Sequence, residues 1–352
     1  MSDLLRDLWY FGATSRELKR GKMFRREILG EPVVLGRDEQ GRAFALRDIC
    51  PHRAVPLSAG RVADTGGVQT VECPYHGWRF GTEDGICKQI PSLVDGQPYE
   101  AGRIRVRRFP THEANGIVLV FVSSDARFAG EPAPAPDFGL GDLVEPKFVI
   151  HRIFDATMDN AVVGLMDPAH VPYVHNQWWW RPPSAGKKLK EKRFVPRERG
   201  WAIERHAPSG NSLAYRALFG GEVTSEISFM LPGFRWEVVD NPKSRLFTLT
   251  CLTPENENST RITQVTYWKN APLLDAMKPI LVPAGREFLD QDGRMVDLQN
   301  TGLAYGPSML WIDDIDVQAK WYLKLKREWT KSREENREFV NPIEPSTLRW
   351  MS

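Results

Sequence analysis

Long apolar runs are missing from this chain of 352 residues. The run Ile117 to Val122 has the length of a strand, far below the roughly 20 residues of a membrane helix. No membrane span is expected. The opening Met1-Ser2-Asp3-Leu4-Leu5-Arg6-Asp7 holds no apolar core of a secretory signal. An excess of either charge is also lacking: 47 basic residues stand against 45 acidic ones, a net of +2. The basic residues are dispersed, which argues against a nucleic-acid partner. Cysteine is scarce, at four. That excludes a disulfide scaffold and suits a reduced, cytoplasmic protein. No flavin or nicotinamide fingerprint is evident, no internal repeat is visible, and low complexity is confined to one Pro/Ala stretch.

What is present is concentrated. Cys50-Pro51-His52 is followed, after the twenty residues Arg53 to Glu72, by Cys73-Pro74-Tyr75-His76. Each short loop offers one thiolate and one imidazole. Such a set can hold tetrahedral zinc. It can equally hold a [2Fe–2S] cluster, with two Cys on one iron and two His on the other. Zinc sites tend to group Cys with Cys and His with His. The mixed pairs here suit a cluster whose irons need different ligands.

The text around these loops reads as β. Arg26 to Leu29, Pro32 to Leu35 and Ala43 to Leu46 are expected strands, with a turn at Asp38 to Gly41. Ser15 to Lys22 reads as one short polar helix. Ile104 to Phe109 and Ile117 to Val122 are further expected strands. Ala129 to Asp137, AGEPAPAPD, reads as an extended linker. Beyond it lie a strand at Phe148 to Phe154 and a mostly helical stretch from Met158 to Val174, interrupted by Pro168 and Pro172. Strand-like runs follow at Trp201 to Arg205, Val223 to Met230, Phe234 to Val239, Leu246 to Leu252 and Ile262 to Trp268. Helices at Leu274 to Leu303 and Ile315 to Arg337 close the chain. The expected class is α+β, an antiparallel sheet wrapped around helices.

A second constellation lies in Asp167-Pro168-Ala169-His170-Val171-Pro172-Tyr173-Val174-His175. Five helical steps turn the second imidazole about 140° from the first. Both reach one metal only if the helix is distorted, and Pro172 between them predicts a kink or wide turn. With a carboxylate from elsewhere they would form a 2-His-1-carboxylate site, the geometry of non-haem Fe(II) oxygen activation. Asp167 precedes His170 by three residues, so on a helix the two would share a face.

Taken together, CPHR, CPYHGWRF and the Asp-x2-His-x4-His motif resemble the oxygenase (α) component of Rieske non-haem iron oxygenases, over nearly the whole chain. The likeness is to the α-only branch of phthalate oxygenases and aromatic O-demethylases. The resemblance implies an N-terminal all-β Rieske [2Fe–2S] domain followed by a helix-grip catalytic domain. The limits it suggests are 1–40 for an N-terminal segment packing on the catalytic domain, 41–125 for the Rieske domain, 126–147 for the linker and 148–352 for the catalytic domain.

It implies Cys50, His52, Cys73 and His76 as cluster ligands. His170 and His175 would be ligands of a mononuclear Fe(II), and Asp167 a bridge to a cluster histidine of a neighbouring subunit. The third iron ligand would come from Gln291-Asp292-Gly293-Arg294-Met295-Val296-Asp297. Asp292 is the candidate there, with Asp290 and Asp297 as competitors. Gly164 stands where the family often has Asn; Asn160 lies one turn further back.

The implied activity is a mono- or dioxygenase reaction on an apolar, ring-containing substrate with O2. Hydroxylation, demethylation and dihydroxylation all fit. Electrons would come from NAD(P)H through a separate reductase, with or without a ferredoxin, into a homotrimer. Trp178 to Trp180, or Phe229, Met230, Phe234 and Trp236, are candidates for pocket lining or plain packing. Two other readings remain: a Rieske-type electron carrier fused to a ligand-binding domain without oxygen chemistry, and a zinc-stabilised binding protein.

Overall fold

The computed structural model describes residues 4–97, 100–175, 188–207 and 222–352. Trp178 to Trp180 lie outside the described residues. The chain divides into one unit of Arg6–Asp137 and a second of Phe138–Ser352 with the first residues of the chain.

The first unit is built from three small antiparallel sheets. Strand β1 (Leu8–Thr14) is later paired by the C-terminal hairpin of the unit. A meander of β2 (Lys22–Ile28), β3 (Glu31–Arg37) and β4 (Ala43–Arg47) follows. The β2–β3 turn is Leu29-Gly30, both at positive φ, as a two-residue hairpin matching the strand twist requires. The β3–β4 turn is pinned by the buried Asp38 carboxylate, which accepts from the amides of Gln40 (3.0 Å) and Arg42 (2.8 Å). Strands β5 (Arg61–Thr65), β6 (Val68–Glu72), β7 (Arg79–Gly81) and β8 (Cys87–Gln89) form the second sheet. Strands β9 (Thr111–Ala114) and β10 (Ile117–Val122) complete the third with β1.

Three expectations need correction in this unit. Residues 6–40 are not a segment apart: β1 to β3 are integral to its sheets, because β1 is buried along its whole length against β10. Ser15 to Lys22 is not a helix. The Glu17 carboxylate accepts from the Thr14 amide at 2.7 Å and closes a turn instead. Ile104 to Phe109 is extended but joins no single sheet. It bonds alternately to two of them: Cys87 and Val106 pair it to the ligand-loop side, Arg47 and Phe109 to the β4 side.

The second unit is one antiparallel sheet of eight strands. They are β11 (Phe148–Phe154), β12 (Leu189–Arg197), β13 (Gly200–His206), β14 (Thr224–Met230), β15 (Phe234–Asp240), β16 (Arg245–Asn256), β17 (Ser259–Lys269) and β18 (Ser346–Met351). Their spatial order is β11-β17-β16-β15-β14-β13-β12-β18. Edge strand β18 and its neighbour β12 have no expected counterpart; in β12, LKEKRFVPR is charge-rich with only a weak apolar signal.

The described helices are α1 (Met158–Met166), the single turn α2 (Val171–Val174), α3 (Pro272–Leu303) and α4 (Val317–Glu334). Thr157 caps α1 by accepting from the Asn160 amide at 3.2 Å. Asp159 in its first turn accepts from Tyr322 (2.7 Å) and pairs with the buried Lys326 (2.7 Å), tying α1 to α4. Phe229 stacks on Trp201, and Phe234 and Trp236 pack on Phe138. These aromatics are buried in the core of the described residues. No described helix is long and apolar enough to cross a membrane.

Candidate metal centres

Two loops of the first unit share one backbone design. In the first, the Cys50 amide donates to the Val55 carbonyl (2.9 Å) and the Ala54 amide returns to the Cys50 carbonyl (2.9 Å). In the second, the Cys73 amide donates to Trp78 (2.8 Å) and the Gly77 amide to Cys73 (3.0 Å). The closing residue is left-handed in both, Ala54 at φ +57° and Gly77 at φ +70°. Each loop is therefore a tight knuckle that starts on a cysteine.

Both thiols sink into the apolar cluster of Leu46, Leu57, Val71 and Phe80. Both imidazoles sit further out, His52 half-buried and His76 exposed. The two rings meet edge-on with centroids 4.7 Å apart, and Trp78 stacks flat on His52 at 4.5 Å. Asp48, fully buried before the first loop, clamps it by accepting from the Ser58 amide and hydroxyl, each at 2.6 Å.

Burial, with the Cys73 thiol beside it, pushes the Cys50 thiol up to about 11. A thiol so buried resists ionising without a cation to take the charge. Thiols inside and imidazoles outside are the donor set that a [2Fe–2S] cluster with unlike irons needs. The residues present fit the group. All four cysteines are free, and Cys87 and Cys251 are buried outside these loops.

The second centre lies wholly in the second unit. Helix α1 stops at Met166, and Asp167 leaves it in extended geometry (φ −66°, ψ 118°). His170 and His175 then flank the single turn α2, with Pro172 in its first turn. Of the two expected interruptions, the one at Pro168 is present and the one at Pro172 is not. The break falls at Asp167-Pro168, where proline disfavours helix in the residue before it. Pro172 starts the next turn rather than breaking one.

Across the single turn α2 the imidazoles converge, Nε2 to Nε2 at 3.3 Å. Asp292 Oδ1, on α3, lies 3.5 Å from His170 Nε2 and 3.2 Å from His175 Nε2. These three atoms lie within 4.8 Å of one another. The competitors are turned away. Asp290 and Asp297 both hold Arg152 of β11, at 2.5 and 3.4 Å. Two helical steps place Asp292 about 200° around α3 from Asp290. Gly293 makes room for the guanidinium, since a Cβ there would come within 2.2 Å of Arg152 Nε.

Gln291 was not foreseen. Its Oε1 accepts from His175 Nδ1 at 2.9 Å, 116 positions along the chain. An amide oxygen only accepts, so Nδ1 carries the proton and Nε2 presents a lone pair toward Asp292. Phe288 stacks on the same ring at 3.5 Å. The sequence signal was the spacing: 288, 291, 292 and 295 recur on one helical face.

His170 Nδ1 is buried without a hydrogen-bond partner, and Asp167 Oδ2 is 4.0 Å away. Asp167 does not share a helix with His170, as expected from spacing. Its Oδ1 instead accepts from the Ala169 amide at 2.7 Å. Burial lowers the His170 pKa, which favours the neutral ring. Two imidazoles and a carboxylate converging on one point fit a divalent cation. A cavity of about 270 Å3 opens beside them, lined by Phe154, Gly164, Leu165, Val174, Met295 and Val296 among others.

Fold and donor sets define a class: a β domain with a paired Cys/His cage, joined in one chain to a helix-grip domain with a three-donor pocket. Residues 8–110 match the Rieske [2Fe-2S] domain, and residues 154–326 match the vanillate O-demethylase oxygenase C-terminal domain. By this pairing the chain belongs to the Rieske oxygenases of the α-component type.

It is 34% identical to dicamba O-demethylase, oxygenase component, of Stenotrophomonas maltophilia, over 49% of this chain and 48% of that one. It is 31% identical to chlorophyllide a oxygenase of Arabidopsis thaliana, over 53% of this chain and 32% of that one. The matches to these two curated relatives thus span half of their length or less. The fold is that of dicamba monooxygenase in its crystal structure bound to dicamba. The TM-score is 0.71 at 24% identity, over 94% of this chain and 99% of that one. The caffeine-bound NdmA of Pseudomonas putida CBB5 superposes with a TM-score of 0.70 at 19% identity, over 94% and 92%.

Proposed function

We propose that this chain is the terminal oxygenase component of a multicomponent Rieske oxygenase. It takes O2 and electrons from a separate reductase, directly or through a ferredoxin, and oxidises an apolar, ring-containing substrate by hydroxylation, demethylation or dihydroxylation. Cys50, His52, Cys73 and His76 hold the cluster in this reading, and His170, His175 and Asp292 hold the mononuclear iron. When bound, the cluster supplies single electrons, and the mononuclear iron supplies open coordination positions for dioxygen.

The protein's own groups do the rest. The buried cysteines keep water from the inner half of the cage, while the outward imidazoles form its accessible edge. Gln291 holds the proton on His175 Nδ1 and so keeps the Nε2 lone pair on the metal side. The apolar cavity wall receives the substrate and excludes water from the reacting face. A homotrimer in a reducing cytoplasm belongs to the same reading, with Asp167 reaching a cluster histidine of the next copy.

The observation that carries the proposal is the convergence of His170, His175 and Asp292 within 4.8 Å beside a cavity. A Rieske carrier without oxygen chemistry has no use for it. Iron and acid-labile sulfide analysis tests the reading. About three irons and two sulfides per chain are expected for one cluster and one mononuclear site. Two irons, or zinc alone, would overturn it. Reductase-driven oxygen uptake across a panel of aromatic compounds then identifies the substrate.

A further inference from the structure

Gly164 is exposed within helix α1 and stands on the cavity wall, beside His170 and Asp292. Glycine inside a helix is destabilising relative to alanine, so its presence needs a reason. The usual structural reasons are missing here. Gly164 is not among the positive-φ glycines. It does not end the helix, which runs on to Met166. A Cβ built on it meets no heavy atom within 4 Å among the described residues. By contrast, a Cβ at Gly200 would strike the Phe229 carbonyl oxygen at 1.8 Å.

Gly164 lines the cavity, and a Cβ on it would meet open space among the described residues. Ala161 and Leu165 line it from the same face of α1, at helical spacings of three and four. Asp292, Met295, Val296 and Gln299 line it from one stripe of α3. Among the wall residues nearest the donors, Gly164 is the one with no side chain to fill the volume.

We propose that Gly164 is a specificity-determining residue: its missing side chain leaves room for the bulky apolar part of the substrate beside the three-donor site. The inference rests on the metal-binding reading of His170, His175 and Asp292. Side chains added at 164 project into that room. They restrict the size of ligand admitted without disturbing the donors.

The test uses the full-length chain with Co(II) in the mononuclear site, titrated with imidazole and with 4-phenylimidazole and followed by the Co(II) spin-resonance signal. Wild type is expected to bind both probes. Gly164→Leu should change imidazole binding by less than about threefold and weaken 4-phenylimidazole by about tenfold or more, the cost of losing one well-fitted apolar contact. Gly164→Val serves the same comparison if the larger variant does not fold. Gly164→Ala should bind both probes and raise Tm by about 1–3 °C, because only helix propensity changes. Equal weakening of both probes, or of neither, overturns the proposal. So does a lowered Tm in Gly164→Ala, which would reveal a packing need for glycine. Absence of a Co(II) signal from wild type would instead sink the metal reading itself, and this inference with it.

Discussion

The two donor sets are built by opposite routes. The cage of the first unit comes from two copies of one local device, the cysteine knuckle, whose hydrogen bonds close within six residues. The trio of the second unit comes from a broken helix and a distant one, with His175 and Gln291 separated by 116 positions. The first is stabilised mostly by its own loops and the buried Asp48 clamp. The second depends on α1 and α3 being held in place, through Asp159 with Lys326 and Arg152 with Asp290. Local construction tolerates distant change, whereas assembled construction transmits it.

The sharpest break in this comparison is a pair of ligand deletions. Cys73→Ala should abolish the visible spectrum and turnover, leaving about one iron per chain. Asp292→Ala should keep the spectrum, leave about two irons, and cut turnover by about a hundredfold or more. Metal analysis and spectra of both variants check independence. Loss of the cluster in Asp292→Ala would show that the centres do not form separately.

Asp167→Asn comes next. The side-chain oxygen that accepts from Ala169 survives in the amide, so both centres should load normally. Turnover should still fall by about tenfold or more, with the reduced cluster reoxidising slowly in a single turnover. Normal reoxidation would remove Asp167 from the path between the centres.

A smaller effect is expected at Gln291. Gln291→Leu leaves the His175 Nδ1–H without its acceptor, and metal affinity at the trio should drop by about 10–100-fold with the cluster unchanged. Gln291→Glu keeps an acceptor and should restore most of that loss. Competition with a chelator measures both.

The smallest effect separates the twin knuckles. Ala54 already bears a Cβ at φ +57°, so Gly77→Ala asks its twin to do the same at φ +70°, with Pro91 Cγ 3.1 Å from the new carbon. A loss of about 1–2 kcal/mol is expected. Ala54→Gly should shift stability by less, because relief of the left-handed strain is offset by chain entropy. Thermal bleaching of the cluster band reads both.

What could be read from the residues alone follows the same division. Cys50, His52, Cys73 and His76 were legible as one set because each pair lies in a single loop, where sequence distance is spatial distance. The strands β13 to β17 were legible by alternation, and α3 by its apolar period. The edge strand β18 and its neighbour β12 were not, since the half-exposed end of the sheet carries little apolar signal. His170 and His175 were suspected as partners despite a spacing that an unbroken helix forbids. No break falls between them at Pro172: α1 ends earlier, at Asp167-Pro168, and His175 leaves the single turn α2 in non-helical geometry (φ −104°, ψ 64°).

The sequence by itself determined the chemistry on offer: two thiols, four imidazoles and a short list of carboxylates, in patterns that only iron or zinc would use. Tertiary structure alone decided which carboxylate faces the histidines. Asp290, Asp292 and Asp297 share one helix, and their order along the chain does not say which side faces the histidines. Arg152 does: by holding Asp290 and Asp297 on one side of α3, it leaves Asp292 and Gln291 to face His175. A helix has no front until something packs against its back.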